Sequence, residues 1–279
     1  MNSTPRRPVI GVFDSGFGGL TVLKELVHLI PAADYLYFGD TARLPYGSKS
    51  VETVARYAVE ATHFLEARGA QFLVIACNTA TALALDRITG AAHVPVFGVV
   101  EPGAERASRE THKRKVVVIG TDATVTSHAY RKALEARGIE AREKACPLFV
   151  PLVEEGWVDH PVTEQVARIY LQEAFGDGFH EADVLVLGCT HYPLLHPLLR
   201  RVAPAAVSIV DSAHSTASAV ADEIRRIQQN PMHPPGESER RGPTRLRFFA
   251  TDSVEKFRRL GPKFLGHAVD DVQHVDLKE

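Results

Sequence analysis

Two kinds of hydrophobic pattern take turns along this chain. Residues 8–13 (PVIGVF) form a brief apolar run, rich in β-branched residues and ending in turn residues, which predicts a buried strand. A helical pattern follows over about 20–29. DYLYFGD (34–40) is a second strand. Over 51–65, Val51, Val54, Tyr57, Ala58, Ala61, Phe64 and Leu65 recur at three- and four-residue steps, which is one face of a helix. QFLVIA (71–76) is a strand with a helix after it, and PVFGVV (95–100) is the next strand.

The alternation then starts again. KVVVIG (115–120) is a strand, a helix runs over about 124–137, and a strand lies near 140–145. A helix over 162–174 precedes the buried strand DVLVLG (183–188). VSIVDS (207–212) is a strand, 213–228 a helix and RLRFFA (245–250) a late strand. The segment 230–243 concentrates Pro, Gly and charge and reads as an exposed loop. Such βα alternation predicts an α/β fold with mostly parallel sheets covered by helices.

Two stretches repeat. LVIACNTAT (73–81) and LVLGCTHYP (185–193) both run from an apolar strand through a small residue and a Cys into a Thr-containing turn, with the cysteines 112 positions apart. Upstream, VIGVFDSG and VVVIGTDA share a strand leading into a Ser/Thr/Asp turn at an offset of about 107. The pattern predicts two similar α/β domains. The plainer alternative is that any two βα units look alike.

Composition narrows the function classes. The chain has 279 residues, enough for one or two domains, and is 45% hydrophobic and 24% charged, as soluble globular proteins are. A formal charge of −2 argues against a dedicated nucleic-acid binder. Three cysteines exclude a disulfide scaffold and point to a reducing compartment. No signal-type segment and no membrane-length apolar run is present, so a cytoplasmic protein is expected.

Ligands of open α/β sheets bind at the carboxyl ends of the strands, where these motifs fall. Cys77 and Cys189 each end a strand and precede an expected helix start, whose partial positive charge can lower a thiol pKa. A lone Cys is more often a small buried hydrophobe, but two at matching turns favour chemistry. Cys146, in apolar surroundings, reads as structural. With no CxxC and no zinc-type spacing, no metal site is expected, and His191, two residues from Cys189, is only a weak hint of one. The segment GVFDSGFGGLT (11–21) fails both nucleotide fingerprints: Thr21 stands where a third Gly is needed, and Phe17 where a Lys is needed. Its turn can still offer N–H groups to an anion, with Asp14 and Ser15 at the strand end. In FGDTARLPYGSKS (38–50), Pro45 and Gly47 force a turn, Tyr46 is either a surface aromatic or a lid contact, and Ser50 is a candidate helix cap. One of Glu154 and Glu155 can face the cleft and orient His191.

Taken together, IGVFDSGFGGLTVLKEL, YFGDTARLPYGSKS, VIACNTATALAL, VVEPGA, VIGTDATVTSHAY, CPLFVPLVEEG, LVLGCTHYPLL and FFATDSVEKF resemble the glutamate racemases of the cofactor-independent aspartate/glutamate racemase superfamily, in order from residue 10 to 257. The resemblance implies two pseudosymmetric domains facing across a cleft: residues 1–100 and 213–279 form the first, completed by the C-terminal segment, and residues 101–212 form the second. It implies Cys77 and Cys189 as the acid/base pair, Cys77 acting on D-glutamate and Cys189 on L-glutamate. Asp14 and His191 assist them respectively, and Glu154 supports His191. Asp14, Ser15, Pro45, Tyr46, Gly47, Asn78, Thr79, Thr121, Thr124, Thr190 and His191 are implied to line the substrate site. No cofactor is implied, and the product would feed peptidoglycan synthesis. The expected assembly is a homodimer.

The chemistry suits that assignment. Inverting an amino acid removes Cα–H on one face and returns a proton on the other, which two opposed bases do more readily than one. With no pyridoxal-phosphate signal, hydroxyl, amide and turn N–H groups must hold the developing enediolate. Two rivals remain at this point: a related aspartate or hydantoin racemase (or a decarboxylase, some of which keep only one Cys), and a non-catalytic bilobed binder. The paired thiols and the GDTARLPYG and GCTHYPLL signatures favour the glutamate enzyme.

Overall fold

A computed structural model describes residues 7–228 and 243–277. The strand-forming runs are continuous rather than alternating because both faces of each sheet are covered. In β1 (Val9–Asp14), Ile10 and Val12 enter one core and Phe13 enters another. Strands β2 (Asp34–Gly39), β3 (Phe72–Ile75) and β4 (Val96–Gly98) join it in one sheet. The second sheet holds β5 (Lys115–Gly120), β6 (Glu140–Ala145), β7 (Val184–Gly188) and β8 (Ser208–Asp211). Near the C-terminus, β9 (Leu246–Ala250) pairs with β2, and β10 (Val272–His274) pairs with β9. All these pairings are parallel.

The strand orders decide the question of repetition. The first sheet runs β10-β9-β2-β1-β3-β4 and the second β6-β5-β7-β8. Without β9 and β10, the two have the same order and the same direction. Unrelated βα units need not agree in this way, so the shared order favours two similar halves over the plainer alternative. Matching positions therefore meet matching surroundings: β3 runs into Cys77 as β7 runs into Cys189.

The helices are α1 (Leu20–Leu29), α2 (Val51–Glu66), α3 (Asn78–Ala91), α4 (Val100–Glu110), α5 (Asp122–Ser127), α6 (Ala129–Glu135), α7 (Phe149–Glu154), α8 (Pro161–Ala174), α9 (His196–Val202), α10 (Ser212–Gln228) and α11 (Val254–Leu265). One core is continuous between the two sheets. Val12 and Val74 of the first sheet and Val117, Ile119, Leu185 and Leu187 of the second belong to it, together with Phe257 of α11. The opposite faces are covered separately: Phe13, Phe38 and Ile75 against α2 and α3, and Val116, Val118 and Val186 against α4 and α6. Adjacent residues on β5 and β7 thus serve different cores, while residues two apart share one, as the strand period requires.

Three expectations are corrected. The strand expected over 95–100 stops at Gly98, and Val100 already begins α4. The single helix expected over 124–137 is two, because His128 adopts a left-handed conformation (φ 56°) between α5 and α6. Helices α4, α7 and α11 went unread, and the helix start expected directly after Cys189 comes only at α9, behind a 3-10 turn. Pro102, Pro151, Pro197 and Pro262 interrupt the apolar spacing, although the first three stand in a first turn, where a Pro costs a helix little, and Pro262 lies inside α11. The loop expected at 230–243 lies outside the described residues, apart from Pro243. No helix among the described residues is long and apolar enough to cross a membrane.

Candidate active site

The carboxyl ends of β1 and β3 build one side of the site. Cys77 is the N-cap of α3, and its Sγ accepts from the Ala80 N–H at 3.4 Å. Ser15 Oγ lies 3.5 Å from the same sulfur. Asp14 ends β1 and is fully buried. Its Oδ2 accepts from the Gly16 N–H at 2.8 Å, and Thr190 Oγ1 approaches its Oδ1 at 3.5 Å. The glycine turn after Asp14 is a steric requirement. A Cβ on Gly18 would lie 2.2 Å from Thr190 Oγ1 and 2.5 Å from His191 Nδ1, and one on Gly19 would lie 2.5 Å from Asp14 Cβ.

The end of β7 builds the other side. Cys189 accepts at its carbonyl from the Tyr192 N–H, which opens a 3-10 turn over Tyr192–Leu195 ahead of α9. Its sulfur takes a main-chain hydrogen bond from His191. Thr21 on α1 donates to the Thr190 carbonyl at 3.3 Å, which links the two halves. His191 Nε2 lies 3.3 Å from Glu154 Oε1, and Lys256 Nζ lies 2.6 Å from Glu154 Oε2. Glu155 is exposed, so Glu154 is the acidic residue of that pair at the site.

Hydroxyl and amide groups from both halves meet next to Cys77 at the start of α3. Thr79, Thr121 and Thr124 form a triangle, with Oγ1 separations of 3.0, 3.0 and 3.3 Å. Tyr130 donates to Asn78 Oδ1 at 2.7 Å, while Asn78 Nδ2 is buried without a hydrogen-bond partner among the described residues. A Cβ on Gly47 would sit 3.0 Å from Thr121 Cβ, so the Pro45–Gly47 loop reaches across the cleft. Tyr46 itself is buried rather than a surface aromatic, and donates to Asp40 Oδ2 at 2.5 Å. None of Asp14, Cys77, Asn78, Thr79, Thr124, Cys189, Thr190 and His191 is more than 7% exposed.

Burial governs the electrostatics. It pushes the Cys77 thiol up to about 11, with the nearby Asp14 carboxylate adding to the rise. Cys189 is raised further, again by burial first, and by Cys77 and Asp14. The thiol-lowering expected from a helix start is therefore overridden. Asp14 is raised by burial, against the charge of His191 and the N–H groups of Gly16 and Gly19. For Glu154, burial alone would raise the carboxyl, but hydrogen bonds from His191 and Lys256 outweigh it and hold the group below its ordinary range.

These contacts bring Asp14, Ser15, Cys77, Thr79, Thr121, Thr124, Thr190, His191 and Glu154 together, with Gly47 against Thr121, while Tyr46 turns to Asp40 and Pro45 is exposed. Ser50 caps α2 by accepting from the Thr53 N–H, and Cys146 is buried away from solvent with its thiol on the Lys144 carbonyl. Three contributors escaped the sequence reading: Asp40, Tyr130 and Lys256. Asp40 carried a signal, since it follows β2 at the strand end just as Asp14 ends β1. Tyr130 and Lys256 carried none, because their partners lie 52 and 102 positions away. Among the described residues no group of three or more His, Cys, Asp or Glu side chains is placed to hold a metal ion.

Repeated parallel sheets with a thiol at the same strand end of each define a class of protein. The chain belongs to the Asp/Glu/hydantoin racemase family, whose sequence pattern matches residues 10–220. Within it, the chain is 62% identical to a glutamate racemase from Koribacter versatilis, over 98% of both chains. It also superposes on the glutamate racemase of Thermus thermophilus in complex with β-chloro-D-alanine (45% identity, TM-score 0.84), covering 97% of this chain and 98% of that one. The Francisella tularensis glutamate racemase in complex with D-glutamate matches at 33% identity and TM-score 0.86, with 97% and 98% covered.

Proposed function

We propose that this chain interconverts L- and D-glutamate with two cysteines and no cofactor. The observation that carries the proposal is the pair of thiols at matching strand ends, Cys77 after β3 and Cys189 after β7, bordering one buried polar site. Cys189 removes the Cα proton of L-glutamate while Cys77 returns one to the opposite face, and the roles reverse for D-glutamate. Asp14 assists Cys77, and His191, supported by Glu154, assists Cys189. The buried, unpartnered Nδ2 of Asn78 offers a donor to the substrate carboxylate and its enediolate, beside the hydroxyls of Thr79, Thr121, Thr124 and Thr190. Ser15, Pro45, Tyr46 and Gly47 complete the lining.

On this reading the first domain spans 1–100 and 213–279 and the second 101–212, a division supported by sheet membership. The same resemblance assigns the protein to the cytoplasm, as a homodimer, with D-glutamate drawn into peptidoglycan. Light scattering at the mass of one 30.6 kDa chain would reject the dimer. The activity is tested by polarimetry: purified protein, with neither pyridoxal phosphate nor metal added, should drive the rotation of L- or D-glutamate to zero and leave aspartate unchanged. Stable rotation with glutamate would reject it.

A further inference from the structure

The Cys189 side of the site leans on α11, a helix that sequence position alone would never bring there. Phe264 packs its ring edge-on to the His191 imidazole, 5.2 Å between centroids. Two turns earlier, Lys256 places its ammonium 2.6 Å from Glu154 Oε2 and 5.5 Å from the centre of the buried Phe17 ring. The other oxygen of Glu154 meets His191 Nε2. One carboxylate is thus shared between a lysine from the end of the chain and the histidine next to Cys189. We propose that Lys256 is a positioning residue for His191: by holding Glu154 against Nε2, it fixes the proton on Nε2 and leaves Nδ1 as the imidazole atom on the side of Thr190 and the glycine turn.

The argument follows from donor and acceptor counts. An ionised carboxylate only accepts, so the ring nitrogen facing it must carry a hydrogen. In a neutral imidazole the other nitrogen is then an acceptor. Nδ1 is the nitrogen nearest the Gly18–Thr190 wall, as the 2.5 Å approach of a Gly18 Cβ indicates. Lys256 matters because Glu154 is half-buried on α7: the hydrogen bonds from His191 and Lys256 outweigh the burial that would otherwise raise its carboxyl. With Lys256 gone, Oε2 loses its partner and the carboxylate is free to turn from His191 toward solvent, so Nε2 loses the acceptor that fixes its proton. The other titratable groups nearby are Asp14, which feels the charge of His191, Cys189, whose sulfur takes the His191 main-chain N–H, the exposed Glu155 on the same helix end, and Lys263, whose Nζ would lie 2.8 Å from a Cβ on Gly156.

The inference rests on the racemase reading only for its kinetic arm. Lys256→Met keeps the aliphatic stem on Phe17 and removes the charge, and Lys256→Arg restores the charge. In protein labelled with 15N-histidine, the His191 signals are assigned by their loss in His191→Asn and recorded where the ring is neutral. The wild-type ring should carry its proton on Nε2. Lys256→Met should lose that single tautomer, with kcat lowered about 10-fold, a part of what a positioned acid–base group contributes, and KM little changed. Lys256→Arg should recover both tautomer and rate. A wild-type proton on Nδ1, or an unchanged tautomer in Lys256→Met whatever the rate does, would overturn the proposal. Inactive wild-type protein would count against the racemase reading alone.

Discussion

Cys77 is held protonated by its surroundings: with its thiol near 11, only about one molecule in a thousand carries the thiolate at pH 8. Its alkylation by iodoacetamide in the free protein should therefore climb about tenfold per pH unit from 7 to 10. Peptide mapping that found a plateau below pH 9 would contradict that environment. Cys189 should show its handedness only in a one-way reaction. The two glutamate enantiomers have equal free energy, so kcat/KM must match in both directions however one thiol is altered. Elimination from analogues with a β-leaving group needs a single deprotonation and escapes that constraint. Cys189→Ser should therefore lose elimination from the L-analogue far more than from the D-analogue; equal losses would refute the assignment of faces. Both thiols were legible in the sequence because each follows an apolar strand and a small residue. Their protonation was not, since it depends on burial that neighbours distant in sequence create.

The glycine turn between β1 and α1 is the element that sets the spacing of the site. It approaches Thr190 and His191 so closely that no Cβ fits at Gly18, although Gly18 does not adopt the left-handed backbone that would itself demand glycine. Gly18→Ala should fold, with a far-UV spectrum like the wild type. It should lose roughly 10²-fold in kcat, the scale expected when reacting groups are displaced by about 1 Å. Near-normal turnover in Gly18→Ala would mean that the Thr190–His191 wall can yield without consequence. Most strands were legible to within a residue or two, because a short apolar run buried on both faces has few other readings, but β10, three residues with Gln273 and His274 exposed, carried no such run and went unread. Helices were harder. Val100 continues an apolar run and Pro102 and Gly103 look like a turn, so α4 was hidden behind β4. His128 looks like any polar helix residue, and only its left-handed backbone separates α5 from α6.

At the scale of the molecule, two sheets of the same strand order share one continuous core and close over their polar ends. Thr21 to Thr190, Thr190 to Asp14, Tyr130 to Asn78 and the threonine triangle all join the halves across that seam. A site so little exposed admits glutamate only if the halves part. Bound D-glutamate should therefore slow amide exchange at 15–21, 77–81 and 189–192, where the seam contacts lie; unchanged exchange there with saturating ligand would place binding elsewhere. The repeat was visible in the sequence as two Cys turns 112 positions apart, but the matching strand order needed the structure, because pairing between distant strands leaves no local signal. The central claim, that two opposed thiols invert glutamate, is tested most directly by racemisation of L-glutamate in D2O, sampled early. Two bases predict that the D-glutamate formed carries deuterium at Cα while the remaining L-glutamate keeps protium, because the proton returned comes from a solvent-exchanged thiol on the opposite face. D-glutamate that retained the original protium, or early deuterium in the L-glutamate pool, would contradict it.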